Sequence, residues 1–563
     1  MRSPRLPLLL AALLVAPVLG PLASLAPPAA AAAAASAPPP AFTMHPAPVG
    51  SGAAEPTLGV NWNTGNVLFQ NFATTYRVVF DDNVTPPLAS WQNVRAPLSI
   101  INIDPILFTD SVKGRTFAGG LNGECSVLMY TDNDGQSWNA MGNPCASPAF
   151  DHQTIGSGPW KEPRPATARW DRAVYYCAQA SAVQCARSDD GGITFGPGVP
   201  VTCGYVNPGL HGSVHVGPNG HAWLPFRNGQ NQICVARSTD NGVSWTGIKM
   251  PGSASPSNGF DPDVATSANG WVYVGYPSGG NAASPSTVRV ALSKDNGASW
   301  TVSPDLGASF GLKVTTFHEM VAGDDQRAAL AFLGTTECCV QQAFTSTAFA
   351  GAWHLYVAFT YDGGATWTTV RASDDPVQRG CIWDGGGSHA CRNLLDFMDA
   401  QVDQKGRVVV GFADGCRDAC ALPGGTPSQS RSDWATIARQ AQGMGLFAAH
   451  DGNATLPLTV EAGGPYAGFV GGAVAIAGEA RGGSPPYAST WSVASAPAGS
   501  LAAAANPNAL STTFTPDVPG TYTLVLTVTD GAGLRRNATA TLTAAAVTTG
   551  GACGTTGVLV SRD

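Results

Sequence analysis

Charge is scarce in this chain of 563 residues. Only 12% of it is Asp, Glu, Lys or Arg, about half the usual quarter, and 30 basic residues against 38 acidic ones leave a formal net charge of −8. No run of lysine or arginine occurs, which excludes a polybasic nucleic-acid binder. Beyond residue 36 no apolar stretch approaches the ~20 residues that span a bilayer. There is no CxxC…CxxC or histidine-rich spacing for a structural zinc, no GxSxG elbow and no HExxH helix. Gly385-Gly386-Gly387 lacks the following Lys-Ser/Thr of a phosphate-binding loop. What the chain does have is 67 glycines and 43 prolines beside an ordinary 44% of hydrophobic residues. That mixture favours a turn-rich β protein with a real core over long helices.

Arg2 and Arg5, the apolar stretch Leu8–Leu19 and the small residues after it form the pattern of a secretory signal peptide, so residues 1–36 are read as a cleaved leader and the protein as secreted. Thirteen cysteines fit an oxidising compartment. Cys177 with Cys185 and Cys203 with Cys234 are expected to be disulfides. Cys381 with Cys391, Cys416 with Cys420, and Cys125 with Cys145 are sequence-near candidates whose connectivity the sequence leaves open. Cys338 and Cys339 are adjacent, and Cys553 is the odd one out.

One pattern recurs five times: Ser/Thr, an acidic or amide residue two on, Gly four on, Ser/Thr six on and an aromatic seven on. It reads Thr131-Asn133-Gly135-Ser137-Trp138, Ser188-Asp190-Gly192-Thr194-Phe195, Ser238-Asp240-Gly242-Ser244-Trp245, Ser293-Asp295-Gly297-Ser299-Trp300 and Thr360-Asp362-Gly364-Thr366-Trp367. The physical logic is a hairpin turn. The carboxylate accepts backbone N–H bonds, the glycine supplies a positive φ and the aromatic packs between sheets. A second repeat runs in phase, led by Glu55, Asp104, Glu162, His211, Asp261, His318-Glu319 and Asp396, each followed by an apolar stretch, a turn and a Val/Tyr-rich strand. It reads as the inner strand pair of a four-stranded propeller blade. Seven such units over residues 50–450 predict seven blades, with six as the alternative.

The five turns resemble the Asp-box (BNR) repeats of the sialidase superfamily, SxDxGxxW, the first copy departing by carrying Asn133. In that superfamily the boxes are structural turns, so they are given no catalytic part. The resemblance implies a six-bladed propeller, three arginines for the sialic acid carboxylate, a Tyr/Glu nucleophile pair and an Asp acid/base. The superfamily's RIP motif is absent, Pro163-Arg164-Pro165 being the nearest analogue, so that catalytic set is not carried over. Residues 457–546, with Trp491, the alternating Tyr522-Leu524-Leu526-Val528 and Asp530-Gly531, resemble a PKD domain, an Ig-like β-sandwich, although the WxFGDG hallmark is missing. Residues 547–563 are read as a flexible tail.

The lead residues of the second repeat are expected to form a ring at one mouth of the propeller channel. Asp104, Glu162, Asp261, Glu319 and Asp396 are the catalytic candidates for acid/base work on a glycosidic bond. Glu55, Arg164, His211, Arg227, His318 and Arg327 are the substrate-binding candidates. The bland reading makes the lead side chains strand caps, and makes His211 and His215 ordinary strand histidines. No metal ligands are assigned, and a divalent cation such as calcium is the one cofactor such a ring suggests. Trp160, Trp223 and Trp383 could stack on sugar rings. The function expected is that of a secreted, monomeric, sialidase-like glycoside hydrolase acting on a glycan, with no nucleic-acid or membrane partner. The alternative is a non-catalytic glycan-binding or adhesion propeller with a PKD spacer.

Overall fold

The computed structural model describes residues 38–546 apart from 54, 73, 83–86, 98–102, 123–124, 143–150, 180–181, 205–210, 229, 231, 254–260, 282, 384–387, 423, 427–432, 452–457, 482–485, 532 and 534. The leader at 1–36, the tail at 547–563, Cys145, Cys553 and the three glycines at 385–387 lie outside the described residues. The structure is almost entirely β, with one six-residue α-helix, Val340–Thr345, among the described residues.

Between residues 41 and 442 the described residues form seven antiparallel sheets with a four-strand path, each wound outward from its first strand. The innermost strands are Thr57–Val60, Ile103–Thr109, Asp151–Pro159, His215–Val216, Asp263–Thr266, Val314–Ala322 and Asp399–Val402. Each touches the innermost strand of the next sheet, and the seventh touches the first, so the ring is closed in the manner of a β-propeller. The second strands, such as Val272–Ser278 and Ala328–Thr335, are buried along their whole length because sheets pack on both their faces. They accordingly read as continuous apolar runs rather than alternating ones. Outermost strands are short, down to the two residues of Asn139–Ala140, Val199–Pro200 and Thr301–Val302, which leaves little open edge.

The turn motif joins the third strand of a sheet to the fourth. In the second copy the Gly192 N–H donates to Ser188 Oγ at 2.8 Å, and the Thr194 N–H donates to Asp190 Oδ1 at 2.8 Å. The copies at 238–244, 293–299 and 360–366 repeat these bonds. Asn133 accepts the Ser137 N–H at 2.9 Å in the same way. Each turn glycine has a φ between 78° and 90°, which only glycine adopts freely. The aromatics pack against different inter-sheet cores: Phe195, Trp245, Trp300 and Trp367 each join a separate one.

The seventh sheet takes its fourth strand from the other end of the chain. Ala41–Ser51 pairs with Trp434–Gln442, so the ring extends N-terminally past the boundary at residue 50 read from the sequence. This explains why the seventh unit lacks the turn motif: no hairpin follows its third strand.

Residues 458–545 build a second core from Leu458, Ile476, Trp491, Phe514, Tyr522, Leu524, Leu526, Val528 and Leu542. Its main sheet contains Ala488–Ser495, Gly520–Thr529, Arg535–Ala545 and Tyr466–Phe469. The Tyr522 hydroxyl donates to the Val518 carbonyl at 2.6 Å, a tyrosine corner of the kind found in Ig-like sandwiches.

Disulfides join Cys177–Cys185, Cys203–Cys234, Cys381–Cys391 and Cys416–Cys420, and the adjacent Cys338 and Cys339 are also bonded. Cys125 is disulfide-bonded. Bonds of this kind fit an oxidising, extracytoplasmic setting. No helix among the described residues is long and apolar enough to cross a membrane.

Candidate active site at the channel mouth

The starts of the inner strands are not regular. Glu55, Asp104, His152, Phe317 and Leu395 all have positive φ, between 38° and 58°, and make up five of the ten non-glycine residues that do so among the described residues. At Asp104, His152 and Phe317-His318 the register with the second strand slips, marking a bulge. Left-handed backbone at a non-glycine residue costs about 1–3 kcal/mol. Its recurrence at one level of five sheets marks a place where the fold re-aims side chains.

Around these bulges one arrangement gathers Glu55, Asp104, His152, His211, Asp261, His318, Asp396, Arg227 and Arg392. His152 Nδ1 lies 2.9 Å from Asp261 Oδ2, and Arg227 Nε comes within 4.0 Å of Asp261 Oδ1. His211 Nε2 lies 3.1 Å from the His152 carbonyl, and His318 Nε2 lies 3.0 Å from Thr315 Oγ1. Arg392 holds Asp396 through both guanidinium nitrogens and reaches Glu55 at 3.8 Å. The Asp104 carbonyl accepts from the Gln153 amide.

A second tier follows along the inner strands. Thr57, Ile106, Asp263, Glu319 and Asp399 each pair with the fourth residue of the adjoining second strand, and Ile155 pairs with the fifth of the third sheet's longer one. Ser213, whose preceding N–H bonds the Pro225 carbonyl, fills the place in the fourth sheet. The tier is lopsided: sheets five to seven contribute Asp263, Glu319 and Asp399, whereas sheets two and three contribute Ile106 and Ile155. A cavity of about 80 Å³ opens between the two tiers, lined among others by His152, His211, His215, Asp261, His318, Glu319 and Asp399.

The carboxylates there are driven in opposite directions. Burial, with Asp263, Asp399 and Asp261 nearby, pushes Glu319 well above the ordinary glutamate range, and its carboxyl makes no hydrogen bond or ion pair among the described residues. Burial likewise pushes Asp263 up to about 7 and Asp399 to about 8, against backbone N–H bonds from Met320 and Leu58 at 2.8 Å each. Asp261 is the exception. Burial pushes it up too, but His152, Arg227 and His211 outweigh that and hold it below the usual aspartate range. Glu55 is pushed well above its usual range by burial and by Asp396 and Asp104, although Arg392 opposes this. Burial pulls His215 down to about 4 and His318 to about 3, so both are neutral near pH 7.

Three sequence candidates lie elsewhere. Glu162 and Arg164 sit in the connection between the first and second strands of the third sheet, at the far end of the inner strand from this cluster. Glu162 accepts the Arg164 N–H at 2.9 Å, and Arg164 binds the Ala168 and Trp170 carbonyls. The residue at the bulge level of the third sheet is His152. Arg327 occupies the corresponding connection of the sixth sheet, bound to Asp451 at 2.6 Å and to the Gly445 carbonyl at 2.8 Å. Trp160 and Trp223 are buried in inter-sheet cores rather than offered to a ligand, and Trp383 stacks on His389 at 4.4 Å. Sequence reasoning missed His152, Asp263, Arg392 and Asp399. Asp263 and Asp399 were within reach: each follows a lead acid by two or three residues at the start of an inner strand. No group of three or more His, Cys, Asp or Glu with metal-holding geometry occurs among the described residues.

No protein-family model and no curated protein matches the chain. Among solved structures it is similar to the Hadza microbial sialidase Hz136, at 14% identity over 69% of this chain and 65% of that one, with a TM-score of 0.29. It is also similar to the NanB sialidase of Streptococcus pneumoniae, at 11% identity over 51% of this chain and 66% of that one, TM-score 0.34. A third is an α-L-arabinanase of Penicillium chrysogenum, at 13% identity over 73% of this chain and 99% of that one, TM-score 0.35. The chain thus spans less than two thirds of either sialidase's own length. Likeness at these TM-scores adds nothing to what the seven sheets and their cavity show by themselves.

Proposed function

We propose that this chain is an exported seven-bladed propeller with Asp-box turns of the sialidase type and a PKD-like sandwich, and that it hydrolyses glycosidic bonds at the channel mouth. Glu319 is the general acid and Asp261 the base or nucleophile. The observation that carries this reading is the opposition of the two carboxylates at one cavity. The Glu319 carboxyl is half-buried, makes no hydrogen bond or ion pair among the described residues and is pushed well above the ordinary glutamate range, while His152 and Arg227 hold Asp261 below the usual aspartate range. Environments that separate two carboxyl pKa values in this way divide the acid and base roles of glycoside cleavage. The Glu319 proton passes to the departing glycosidic oxygen, and the Asp261 carboxylate either deprotonates the attacking water or bonds the anomeric carbon. His152 orients Asp261, and the role proposed for Glu55, Asp396 and Arg392 is to shape the rim.

The test is a screen of the purified protein against aryl glycosides and natural glycans, repeated with Glu319→Gln and Asp261→Asn. Loss of roughly 10³-fold or more in turnover is expected for each variant. A second reading, glycan capture without turnover, is supported by the small volume of the cavity, about 80 Å³. Glycan binding with no turnover would select it.

A further inference from the structure

Resting on the reading of the cavity as a sugar site, we infer that His318 is held as the neutral tautomer with its proton on Nδ1, and that this N–H donates to an oxygen of the bound sugar. His318 is then a ligand-binding residue, and Thr315 is the positioning residue that fixes its proton.

The first ground is the pairing of donors with acceptors. A neutral imidazole has one N–H and one bare nitrogen, and the bond made at one decides what the other offers. His318 Nε2 lies 3.0 Å from Thr315 Oγ1, and both residues are buried, His318 to 1% exposure and Thr315 to 3%. Among the described residues this is the one hydrogen bond of the Thr315 hydroxyl. A buried hydroxyl spends its proton on an acceptor within reach, so Thr315 donates to Nε2 and leaves that nitrogen bare. The imidazole proton therefore sits on Nδ1. Burial keeps the ring neutral by pulling it down to about 3.

The second ground is that Nδ1 has nothing to donate to. It is buried without a hydrogen-bond partner among the described residues, in a side chain that lines the cavity. A buried N–H left without an acceptor is costly, and a ligand oxygen is what would satisfy it. The neighbouring sheets repeat the situation. Arg227 Nε, at the end of the second strand of sheet four, is also buried without a hydrogen bond. It lies 4.0 Å from Asp261 Oδ1, beyond hydrogen-bond reach, and that oxygen is unpartnered as well. Sheets four, five and six thus present a donor, an acceptor and a donor, all unused. Sugar hydroxyls suit such a set, because each accepts from an N–H and gives its own proton to a carboxylate.

Nitrogen-15 NMR of the full chain tests the tautomer with no ligand present. The His318 proton should be found on Nδ1, and Thr315→Val should shift both ring nitrogens, because Nε2 loses its donor. A proton on Nε2 in the native chain overturns the inference. Calorimetric titration with a panel of methyl glycosides, neutral and acidic, tests the contact. His318→Asn, which sets an amide N–H near the place of Nδ1, should stay within about threefold of the native affinity for the tightest glycoside. His318→Phe, at an unchanged melting profile, should weaken it roughly tenfold. Native affinity in His318→Phe, or a tenfold loss in a folded His318→Asn, overturns the donor role. A proton on Nδ1 with no glycoside bound removes the sugar reading and leaves the tautomer standing. Glycoside binding with the proton on Nε2 does the reverse.

Discussion

At the scale of single residues, the same turn is solved five times with interchangeable acceptors, and one strained position is solved with residues as unlike as Glu55, His152 and Leu395. Asn133 accepts the Ser137 N–H at 2.9 Å just as Asp190 accepts that of Thr194 at 2.8 Å. Geometry rather than charge therefore holds the turn. Asp190→Ala should lower the unfolding free energy by about 1 kcal/mol, and Asp190→Asn by less than half of that, in denaturant titrations. Equal losses would mean that the charge matters more than the bond. At the bulge the decisive residue is His152, which couples a left-handed backbone, φ 38°, to the ion contact that keeps Asp261 ionised. Asparagine tolerates that backbone. His152→Asn should therefore leave the fold intact while raising the Asp261 titration, read by carboxyl carbon NMR. An unmoved Asp261 titration would remove His152 from the site.

At the scale of elements, the turn residues and the Val/Tyr strands made the repeat legible in the sequence, because each copy must solve the same local problem. The level of the ring was harder to read. Glu162-Pro163 imitates Glu55-Pro56, but it belongs to a long connection, and the inner strand of that sheet had already passed through His152 without a proline or an acid to mark it. His318 and Glu319, adjacent in sequence, would face opposite sides of a regular strand; the bulge at Phe317-His318 is what brings both to the cavity, and a bulge has no simple signature. Long-range pairing was equally hidden. The strand Ala41–Ser51 closes the seventh sheet from about 390 residues away, and Asp82 ties that closure down by binding Arg439 and Arg407. Deleting residues 38–51 should lower the melting temperature by roughly 10 °C or more, and a synthetic peptide of residues 41–51 should restore it. An unchanged melt would show that the ring holds without this strand.

At the scale of the whole molecule, the channel stores carboxyl groups that the folded state prefers to keep protonated. Asp263 at about 7, Asp399 at about 8 and Glu319 well above its usual range all titrate higher folded than unfolded, where carboxyls titrate near 4. The folded state therefore binds protons that the unfolded state releases, so this stability is complete below about pH 4 and fades as pH rises through 7 to 8. Above about pH 7, where His215 and His318 are neutral in folded and unfolded chain alike, melting temperature should fall up to about pH 9, and Glu319→Gln should flatten that slope; a melt that rises from pH 7 to pH 9 would contradict the raised carboxyls.

The same groups govern the reaction. Glu319 faces Asp261, Asp263 and Asp399, with His318 beside it in sequence. The most direct measurement is the pH dependence of kcat/KM on the best glycoside of the screen, for the native chain and for Glu319→Gln. The account predicts a bell, its acid limb set by Asp261 and its alkaline limb by the carboxyl of Glu319, with the alkaline limb abolished and activity reduced roughly 10³-fold in the variant. An unaltered profile and rate in Glu319→Gln would contradict it.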